Sequence, residues 1–344
     1  MLKMPFSDSM LLWASPGLES EPFIMELLET HLKKGLKAVL CVTDKPSQAF
    51  IEQAENYGYK LSKHLGKSLF LINFYEKLIN NEGLESLKRL VKKKIKVLGN
   101  DSLVCFNNIS TLINLFGFKA VSELIFLKKF VNEQGGRFIC SFTEWPYTSD
   151  LLIKLRKSFD NRVYLNTVNE QKYYSFKKNG SFTHLLFDVN KPGGVTSLKP
   201  RLVVIGPKGS GKTSFIKALS DCSASIDYLS NDFGIDHAEF KYKDRVIDLF
   251  GAPGDDYEPV IELLGSSVSG VLVMIDSSRP ETFSKARRIV ESVRERGFNV
   301  VVGLNRVKTG VNDVKKKVGL NSVPLIVSEK GSNHDEIFSK LLSY

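Results

Sequence analysis

The feature of this sequence that most constrains its fold is the octapeptide GPKGSGKT at residues 206–213. It fits the pattern GxxxxGK[ST] without a mismatch, follows the apolar run 202–205, and precedes a segment with helical spacing. Glycines in such a loop let backbone N–H groups point into one concavity that holds phosphate oxygens, and the helix N-terminus adds partial positive charge. The pattern predicts an α/β domain with a phosphate-binding loop between a strand and a helix.

The residues of this loop predict a site for a nucleotide and Mg²⁺. In loops of this type the lysine, here Lys212, reaches the β- and γ-phosphates, and the hydroxyl of the next residue, Thr213, ligates Mg²⁺. The predicted nucleotide-binding residues of the loop are Gly206, Lys208, Gly209, Ser210, Gly211, Lys212, Thr213 and Ser214. The loop alone does not separate an ATPase, a kinase and a GTPase.

The chain has 344 residues, a length typical of two domains. The clearest boundary is the segment NKPGGVTSLKP at 190–200, in which two prolines and two adjacent glycines interrupt any regular pattern. We therefore predict a first domain over 1–190, a linker over 191–200 and a second domain over 201–344.

Short apolar runs alternate with amphipathic segments on both sides of this boundary, which predicts α/β domains with mainly parallel sheets. In the first domain, strands are predicted at 11–14, 37–43, 68–74, 102–106 and 137–142, and helices at 22–34, 48–59, 84–98 and 112–133. Three further strands are predicted over 162–189, with a hairpin turn at Lys178-Asn179-Gly180. In the second domain, strands are predicted at 201–205, 237–241, 245–250, 271–275, 300–304 and 325–328, and helices at 213–219, 281–296 and 334–342.

Beyond the loop, the second domain carries further motifs in order: DFG at 232–234, LFGAPGDD at 249–256, VLVMIDSSRPETF at 271–283 and GLNR at 303–306. Here the chain resembles the prokaryotic Ras-like small GTPases related to MglA and Rab. In that group a strand ends in a pattern like LFGTPGQ, and a later strand leads into one like DATRPESF. The resemblance covers residues 201 to about 340. It implies a Ras-like G domain that binds GTP or GDP with Mg²⁺.

The resemblance implies roles for individual residues. Lys212 and Thr213 match the family's phosphate and Mg²⁺ residues, and Gly254 matches the glycine whose N–H meets the γ-phosphate. Asn305 matches the first residue of the NKxD guanine motif, and Arg306 replaces its lysine. The base-contacting turn that the family writes as SAK corresponds here to Ser328, Glu329 and Lys330.

Several positions depart from the family pattern. Tyr228 or a neighbour falls where the first switch usually has the threonine that closes on Mg²⁺, and Gly251 falls where many relatives have the DxxG aspartate. Asp255 replaces the glutamine that orients the attacking water, and this replacement predicts slow hydrolysis of the nucleotide. The predicted catalytic residues are Lys212, Gly254 and Asp255. Lys308 replaces the aspartate that reads guanine, and a lysine has no acceptor for the guanine N–H groups. Whether the nucleotide is hydrolysed, and whether guanine is preferred over adenine, both stay open.

The first domain is similar to the KaiC and RecA group of ATPases. The similarity rests on the loop LLWASPGLESE at 11–21, on VTDKPS at 42–47, on FIEQAENYG at 50–58 and on a strand ending at Asn107. Ser20 and Glu21 fall where that group has its phosphate-binding lysine and Mg²⁺-binding threonine, Asn107 falls where the strand-end aspartate belongs, and Lys45 lies near the expected acidic pair. The resemblance therefore implies a degenerate domain without a functional P-loop, which we expect to act as a scaffold.

The net charge is +10, of which residues 1–197 contribute a surplus of 8. The densest basic run is 88–96, but an apolar stripe at helical spacing accompanies it, so its lysines are predicted to lie mainly on a solvated face. The stripe consists of Leu84, Leu87, Leu90, Val91, Ile95 and Leu98. The scattered cysteines and histidines show no metal-ligand or disulfide spacing. No apolar run is long enough to span a bilayer, and no signal peptide is recognisable, so we expect a cytoplasmic protein.

These observations predict a slow GTP/GDP switch whose switch surfaces, Asp232–Gly234 and Asp256–Tyr257, meet a protein partner, such as a RecA/KaiC-like ATPase or a GTPase regulator. Two alternatives stay open. One is a nucleotide-binding pseudoenzyme or scaffold with relaxed base choice, including ATP. The other is a regulator that associates with nucleic acid through the basic first domain, which is not favoured.

Overall fold

A computed structural model describes residues 8–80, 83–168, 171–178, 181–219, 225–230, 233–242, 245–252, 256–265, 268–307, 311–318 and 322–342. The chain divides into two compact units. The first comprises Met1–Val168 and Lys172–Leu198, and the second comprises Asn169–Gln171 and Lys199–Tyr344. Each unit is built on one sheet.

The sheet of the first unit has nine strands. They are β1 (Ser9–Ala14), β2 (Ala38–Val42), β3 (Leu69–Asn73), β4 (Leu103–Phe106), β5 (Arg137–Thr143), β6 (Asn161–Val168), β7 (Gln171–Lys178), β8 (Ser181–Asn190) and β9 (Gly194–Leu198). Their order is β3-β2-β4-β5-β1-β6-β7-β8-β9, and the pairs from β3 to β6 are parallel. The carboxyl ends of these parallel strands therefore meet at one edge.

Helices cover both faces of this sheet because its central strands are apolar on both sides. They are α1 (Glu21–Lys33), α2 (Ser47–Asn56), α3 (Phe74–Ile79), α4 (Leu84–Leu98), α5 (Ser110–Phe116), α6 (Phe118–Glu133) and α7 (Ser149–Lys157). Two separate groups of buried apolar side chains form the core, one on each face. Four residues of the apolar stripe predicted for 84–98, Leu84, Leu87, Val91 and Ile95, are buried on α4. The other two, Leu90 and Leu98, are partly buried against the same core.

Two sequence predictions for the first unit differ from the structure. The single long helix predicted over 112–133 is two helices, because Gly117 has φ of +54° and ends α5 before α6 begins. The predicted linker contains the strand β9, which pairs antiparallel with β8. The turn between these strands contains Lys191, Pro192 and Gly193, and pairing resumes at Gly194. Val195 is buried, and its N–H donates to the Tyr59 hydroxyl at 2.9 Å.

The sheet of the second unit has seven strands. They are β10 (Arg201–Ile205), β11 (Ser225–Ser230), β12 (Phe233–Tyr242), β13 (Arg245–Gly251), β14 (Val268–Asp276), β15 (Val300–Asn305) and β16 (Leu325–Val327). Their order is β11-β12-β13-β10-β14-β15-β16, with β11, β12 and β13 antiparallel to one another and the strands from β13 to β16 parallel. Strand β10 therefore lies between strands that come later in the chain, the arrangement that creates a binding crevice at its carboxyl end.

The helices of the second unit are α8 (Lys212–Leu219), α9 (Glu258–Leu264), α10 (Phe283–Glu295), α11 (Val311–Val318) and α12 (His334–Leu341). Strands β10 and β14 are almost wholly buried and separate two groups of core residues. The predicted hairpin of 237–241 and 245–250 is confirmed by the pairing of β12 with β13. Its predicted turn at 243–244 lies outside the described residues, as does the turn at 179–180.

The predicted fold class is confirmed: the chain forms two α/β units with mainly parallel sheets, consistent with two P-loop NTPase-type domains. No helix in the described part of the chain is both long and apolar enough to cross a bilayer.

Candidate functional site

The octapeptide at 206–213 joins β10 to α8, so the predicted loop lies at the carboxyl end of the central strand of its sheet. Lys212 begins α8 and is buried. Its ammonium donates to the backbone oxygens of Gly206 at 2.7 Å and of Pro207 at 3.1 Å. The loop therefore closes around a positive charge that is held in place by its own carbonyl groups.

Ser210 leaves a polar atom unpaired inside this loop. Its side chain is 3% exposed, and among the described residues its Oγ has no hydrogen-bond partner. A buried hydroxyl without a partner is costly, since the group loses its bonds to water. The hydroxyl and the buried ammonium of Lys212 together suit an anion with several acceptor oxygens, and a phosphate chain is such an anion.

Two loop glycines are required because other groups approach their Cα atoms closely. A Cβ on Gly206, whose φ is +140°, would lie 2.2 Å from the Met274 backbone oxygen of β14. A Cβ on Gly211 would lie 2.2 Å from Nδ2 of Asn305, the predicted guanine-motif asparagine at the end of β15. That amide donates to the Ser210 backbone oxygen at 3.2 Å. The structure thus brings Asn305 and the loop together, although they are far apart in sequence.

Arg306, the second residue of the predicted guanine motif, pairs with an acid that the sequence analysis had not assigned. Its Nη1 lies 3.3 Å from Oδ2 of Asp276, the last residue of β14, which is 1% exposed. The other carboxylate oxygen of Asp276 accepts from the Ser278 N–H at 2.9 Å. These contacts connect the carboxyl ends of β14 and β15 beside the loop.

The predicted base-contacting turn lies beside the same motif. Ser328 is buried, and its N–H donates to the Leu304 oxygen at 2.8 Å. The Glu329 Oε1 accepts from the Val307 N–H at 2.7 Å, which places a carboxylate next to the motif that begins at Asn305. Lys308 and the side chain of Lys330 lie outside the described residues.

Thr213, the predicted Mg²⁺ ligand, donates its hydroxyl proton to Oδ2 of Asp236 at 2.5 Å. Asp236 belongs to β12 and had no role in the sequence analysis. On another side of the loop, Arg279 Nη1 donates to the Lys208 backbone oxygen at 2.8 Å. The loop is thus contacted by Asp236, Arg279 and Asn305, from three different segments of the unit.

The remaining predicted site residues of this unit divide into two groups. Ser214 is exposed on α8, and Gly209 lies close to Arg279. Gly254, Asp255 and Asp232 lie outside the described residues, and so does the side chain of Tyr228. Their assigned roles stay predictions.

In the first unit, charged and amide side chains from the connections that follow β1, β2 and β4 bind one another. Glu21 begins α1, and its carboxylate lies 2.7 Å from Lys45 Nζ and 3.0 Å from Asn107 Nδ2. Lys45 also donates to Gln53 Oε1 at 3.0 Å, and Asn107 donates to Asp44 Oδ1 at 2.5 Å. The ammonium of Lys45 therefore lies between the carboxylate of Glu21 and the side chain of Gln53 on α2.

Asn107, predicted to stand in place of the strand-end aspartate, is fully buried at the carboxyl end of β4. Its Oδ1 accepts from the Thr43 N–H at 2.9 Å, while Asn108 Nδ2 donates to Asp44 at 3.2 Å. An amide both donates and accepts hydrogen bonds, whereas an aspartate only accepts. Asn107 can therefore join Thr43 to the acidic side chains, which an aspartate in that position could not do.

Side-chain contacts also account for part of the basic run on α4. Lys88 pairs with Glu85 at 2.8 Å and with Glu123 at 3.0 Å. The Lys92 ammonium lies 4.4 Å from the ring centroid of Phe126 on α6. These lysines serve contacts between α4 and α6, which weakens the case for a nucleic-acid surface there.

Three cysteines of the first unit are unreactive thiols. Cys41, Cys105 and Cys140 are fully buried free thiols on adjacent strands. Burial raises the pKa of each thiol well above its ordinary value. Since the thiolate is the reactive form, these residues are core side chains and not nucleophiles.

Asp236 and Arg279, which contact the loop, and Asp276, which pairs with Arg306 beside it, are residues that sequence reasoning missed. Asp276 and Arg279 lie inside the quoted motif at 271–283, so the motif itself was a signal for them. Asp236 has no local signal, because its position beside Thr213 depends on how β12 pairs with β13.

Comparisons with known proteins give distant similarities. No family model matches the chain. A curated relative, an uncharacterized protein of Methanocaldococcus jannaschii, is 26% identical over 148 residues, which is 42% of this chain and 96% of that protein. Because that relative is itself uncharacterized, it brings no function to this chain.

Among solved structures, the chain is similar to a KaiC-like protein of Pyrococcus horikoshii, with 13% identity, a TM-score of 0.48, and coverage of 56% of this chain and 89% of that one. The flagellar accessory protein FlaH of Methanocaldococcus jannaschii has 17% identity and a TM-score of 0.44, covering 57% and 91%. The G domain of the FeoB iron transporter of T. maritima has 19% identity and a TM-score of 0.35, covering 42% and 98%. At these scores the assignment of the fold rests on the strand order and the loop geometry described above.

Proposed function

We propose that the second unit binds a guanine nucleotide, GTP or GDP, together with Mg²⁺, and acts as a regulatory switch with slow hydrolysis. The observation that carries the proposal is the loop at 206–213, which holds the buried ammonium of Lys212 and the unpaired buried hydroxyl of Ser210. Both groups favour an anion rich in acceptor oxygens, and the loop opens at the carboxyl end of the central strand, where nucleotides bind in α/β sheets.

Mg²⁺ fits the same site through Thr213. When bound, Mg²⁺ would neutralise charge on the β- and γ-phosphates. The hydroxyl of Thr213 is exposed at the start of α8, and its oxygen keeps lone pairs for a cation while its proton is donated. Slow turnover follows from Asp255, because a carboxylate in place of the water-orienting glutamine adds negative charge near the γ-phosphate.

Lys308 bears on whether the site prefers guanine or adenine. A lysine offers three donors and no acceptor, so it cannot accept the N–H groups of guanine. Two other side chains near the predicted guanine motif carry acceptor oxygens. Asn305 contacts the loop at Ser210, and Glu329 contacts the backbone of Val307. The alternative is a nucleotide-binding pseudoenzyme or scaffold that accepts ATP as well as GTP.

We propose that the first unit is a scaffold that binds no nucleotide. Its support is the network of Glu21, Lys45, Asp44 and Asn107, in which the acidic groups already have cationic or amide partners. A triphosphate there would face Glu21 without a lysine on the loop to offset the repulsion. A protein partner would then meet the switch segments of the second unit, Asp232–Gly234 and Asp256–Tyr257.

The test is to measure the affinity of nucleotide-free full-length protein for fluorescent mant-GDP, mant-GTP and mant-ATP, with the substitution Lys212→Ala. Loss of the ammonium should weaken binding about 10- to 100-fold, because hydrogen bonds to charged groups contribute about 1.5–3 kcal/mol. Lys217→Ala removes an exposed charge from the same helix and should leave the affinity unchanged. If the wild type binds none of these nucleotides at millimolar concentration, the proposal is wrong.

Phosphate release under multiple-turnover conditions tests the switch assignment. Wild type should release phosphate slowly, and Asp255→Gln should accelerate the release. Fast turnover by wild type would contradict the assignment of a slow switch.

A further inference from the structure

The end of β13 lacks the acidic side chain that a metal site at this loop would use. Gly251 is the last residue of β13 and pairs with Val204 of β10, directly beside the strand that enters the loop. P-loop nucleotide sites hold Mg²⁺ with the loop hydroxyl, an aspartate and the phosphates. Gly251 offers no carboxylate, so a carboxylate ligand of the metal must come from another residue.

Asp236 lies directly opposite Gly251 in the antiparallel pair of β12 and β13. Residues paired in this way have side chains on the same face of the sheet and about 5 Å apart at Cβ. A Cβ on Gly251 would lie 3.1 Å from Cβ and 3.3 Å from Oδ2 of Asp236. The carboxylate of Asp236 therefore occupies the space that a side chain at position 251 would need.

From this position the carboxylate reaches the metal-side hydroxyl of the loop. Asp236 Oδ2 accepts the proton of Thr213 Oγ1 at 2.5 Å. A hydroxyl that donates its proton to a carboxylate keeps its lone pairs for a cation, and the negative charge beside it favours a divalent ion. Ser210, in the same loop, supplies the independent observation of a buried unpaired hydroxyl that points to a ligand.

We propose that Asp236 supplies the carboxylate of the Mg²⁺ site from β12, in place of a residue at the end of β13, and that Thr213 and Asp236 bind the metal of the Mg²⁺–nucleotide complex. The inference rests on the proposed function of the second unit. It assigns the acidic member of the metal site to the neighbouring strand. It also explains why Gly251 is small, since a larger side chain there would displace the carboxylate.

A purely structural role for Asp236 makes a different prediction from a metal-binding role. An aspartate that only accepts the Thr213 hydroxyl proton can be replaced by asparagine at little cost, because the Oδ1 of asparagine accepts the same hydrogen bond. A metal ligand cannot be replaced in this way, because asparagine lacks the negative charge. The variant Asp236→Asn therefore separates the two roles.

The experiment measures how fast bound mant-GDP is released from full-length protein as Mg²⁺ is titrated after EDTA treatment. For wild type, Mg²⁺ should slow the release with a defined half-saturating concentration. In Asp236→Asn that concentration should rise about 10- to 100-fold, with release in EDTA unchanged. The control is Glu239→Gln, which neutralises an exposed carboxylate on the same strand and should match wild type.

A second pair of variants moves the carboxylate between the strands. Asp236→Ala should raise the half-saturating Mg²⁺ concentration, and the double variant Asp236→Ala/Gly251→Asp should lower it again toward the wild-type value. The new side chain must displace Cδ1 of Ile216, the flexible end of that side chain, which lies 2.5 Å from the added Cβ, and it must also fit against the Cβ that remains at position 236, 3.1 Å away. If the double variant needs as much Mg²⁺ as Asp236→Ala, the proposal that Asp236 on β12 replaces a carboxylate at the end of β13 is overturned.

The outcomes distinguish this inference from the proposed function. If wild type binds nucleotide and Lys212→Ala loses it, but Asp236→Asn keeps the wild-type Mg²⁺ dependence, the assignment of Asp236 is overturned and nucleotide binding stands. If wild type binds no nucleotide, both are overturned. Circular dichroism melting of each variant shows that the compared proteins are folded.

Discussion

Lys45 and Glu21 form an ion pair with 2.7 Å between Nζ and Oε2, at the edge of the first sheet where its parallel strands have their carboxyl ends. The two residues are 24 positions apart and come from the ends of different strand–helix connections. Asn107 donates to the other oxygen of the same carboxylate. An internal ammonium and an amide thus satisfy an acidic group at this position.

The first prediction follows from that pair. Lys45→Ala leaves a largely buried carboxylate without its cation, so the free energy of unfolding of the first unit should fall by about 1–3 kcal/mol. Both tryptophans, Trp13 and Trp145, belong to this unit, so their fluorescence in a urea titration reports its unfolding. Lys33→Ala is the control, because Lys33 is 67% exposed in its pair with Glu29, and it should cost less than about 1 kcal/mol. Equal losses in the two variants would contradict the role given to Lys45.

The second prediction concerns Gly206 in the phosphate-binding loop. In Gly206→Ala the added Cβ would meet the backbone oxygen of Met274 at 2.2 Å, and this oxygen belongs to a core strand that cannot shift alone. We expect mant-GDP affinity to fall at least about tenfold, because the loop must open to relieve the contact. Gly297→Ala is the control, since Gly297 also has positive φ but nothing lies within 4 Å of its added Cβ. It should lose stability by about 1–2 kcal/mol and keep its nucleotide affinity.

The third prediction concerns the base. With Lys308 unable to accept a hydrogen bond, wild type should prefer GTP over ATP less than about tenfold. Lys308→Asp restores an acceptor and should raise the preference for GTP at least about tenfold, since hydrogen bonds to charged groups contribute about 1.5–3 kcal/mol. Competition of GTP and ATP against a bound mant nucleotide measures the ratio. A strong GTP preference in wild type would show that other groups read guanine, with Glu329→Gln as the next variant to test.

The fourth prediction is a dependence of stability on pH in the first unit. Burial lowers the pKa of His31 below its ordinary value, although its Nε2 lies 3.0 Å from the Lys37 oxygen, a contact that favours the protonated form. The unfolded chain keeps the ordinary pKa of about 6.5, so below that pH the unfolded state binds more protons than the folded state. The stabilising effect of neutral His31 is therefore present above pH about 6.5 and is lost as the pH falls toward the folded pKa.

Urea titrations followed by tryptophan fluorescence at pH 7.5 and 5.5 test this dependence. The wild type should lose stability between these values, by at most about 1.4 kcal/mol per pH unit from this group. His31→Gln has no titrating ring and should lose correspondingly less. An identical pH dependence in both proteins would remove His31 as the cause.

Much of the fold could be predicted from local pattern. The runs around β1, β2, β10 and β14 are apolar on both faces, and only a strand covered on both sides accommodates them. The stripe of α4 identified its core face in the same way. The helix end at Gly117 could not be predicted from local pattern, because one glycine can end a helix or be tolerated within it. The strand within 190–200 could not be predicted either, because the residues after a Pro-Gly turn pair only if a partner strand is near.

The sequence alone determined the phosphate-binding loop, since its spacing of glycines, lysine and threonine serves one kind of chemistry between a strand and a helix. It also showed that the first loop lacks these residues. Only the tertiary structure decided which distant side chains contact these loops. Asp236 reaches Thr213 because β12 pairs with β13 in one register, and Glu21 reaches Lys45 and Asn107 because parallel strands end at one edge. Such contacts join residues far apart in the chain, and no local pattern of residues encodes a register between strands.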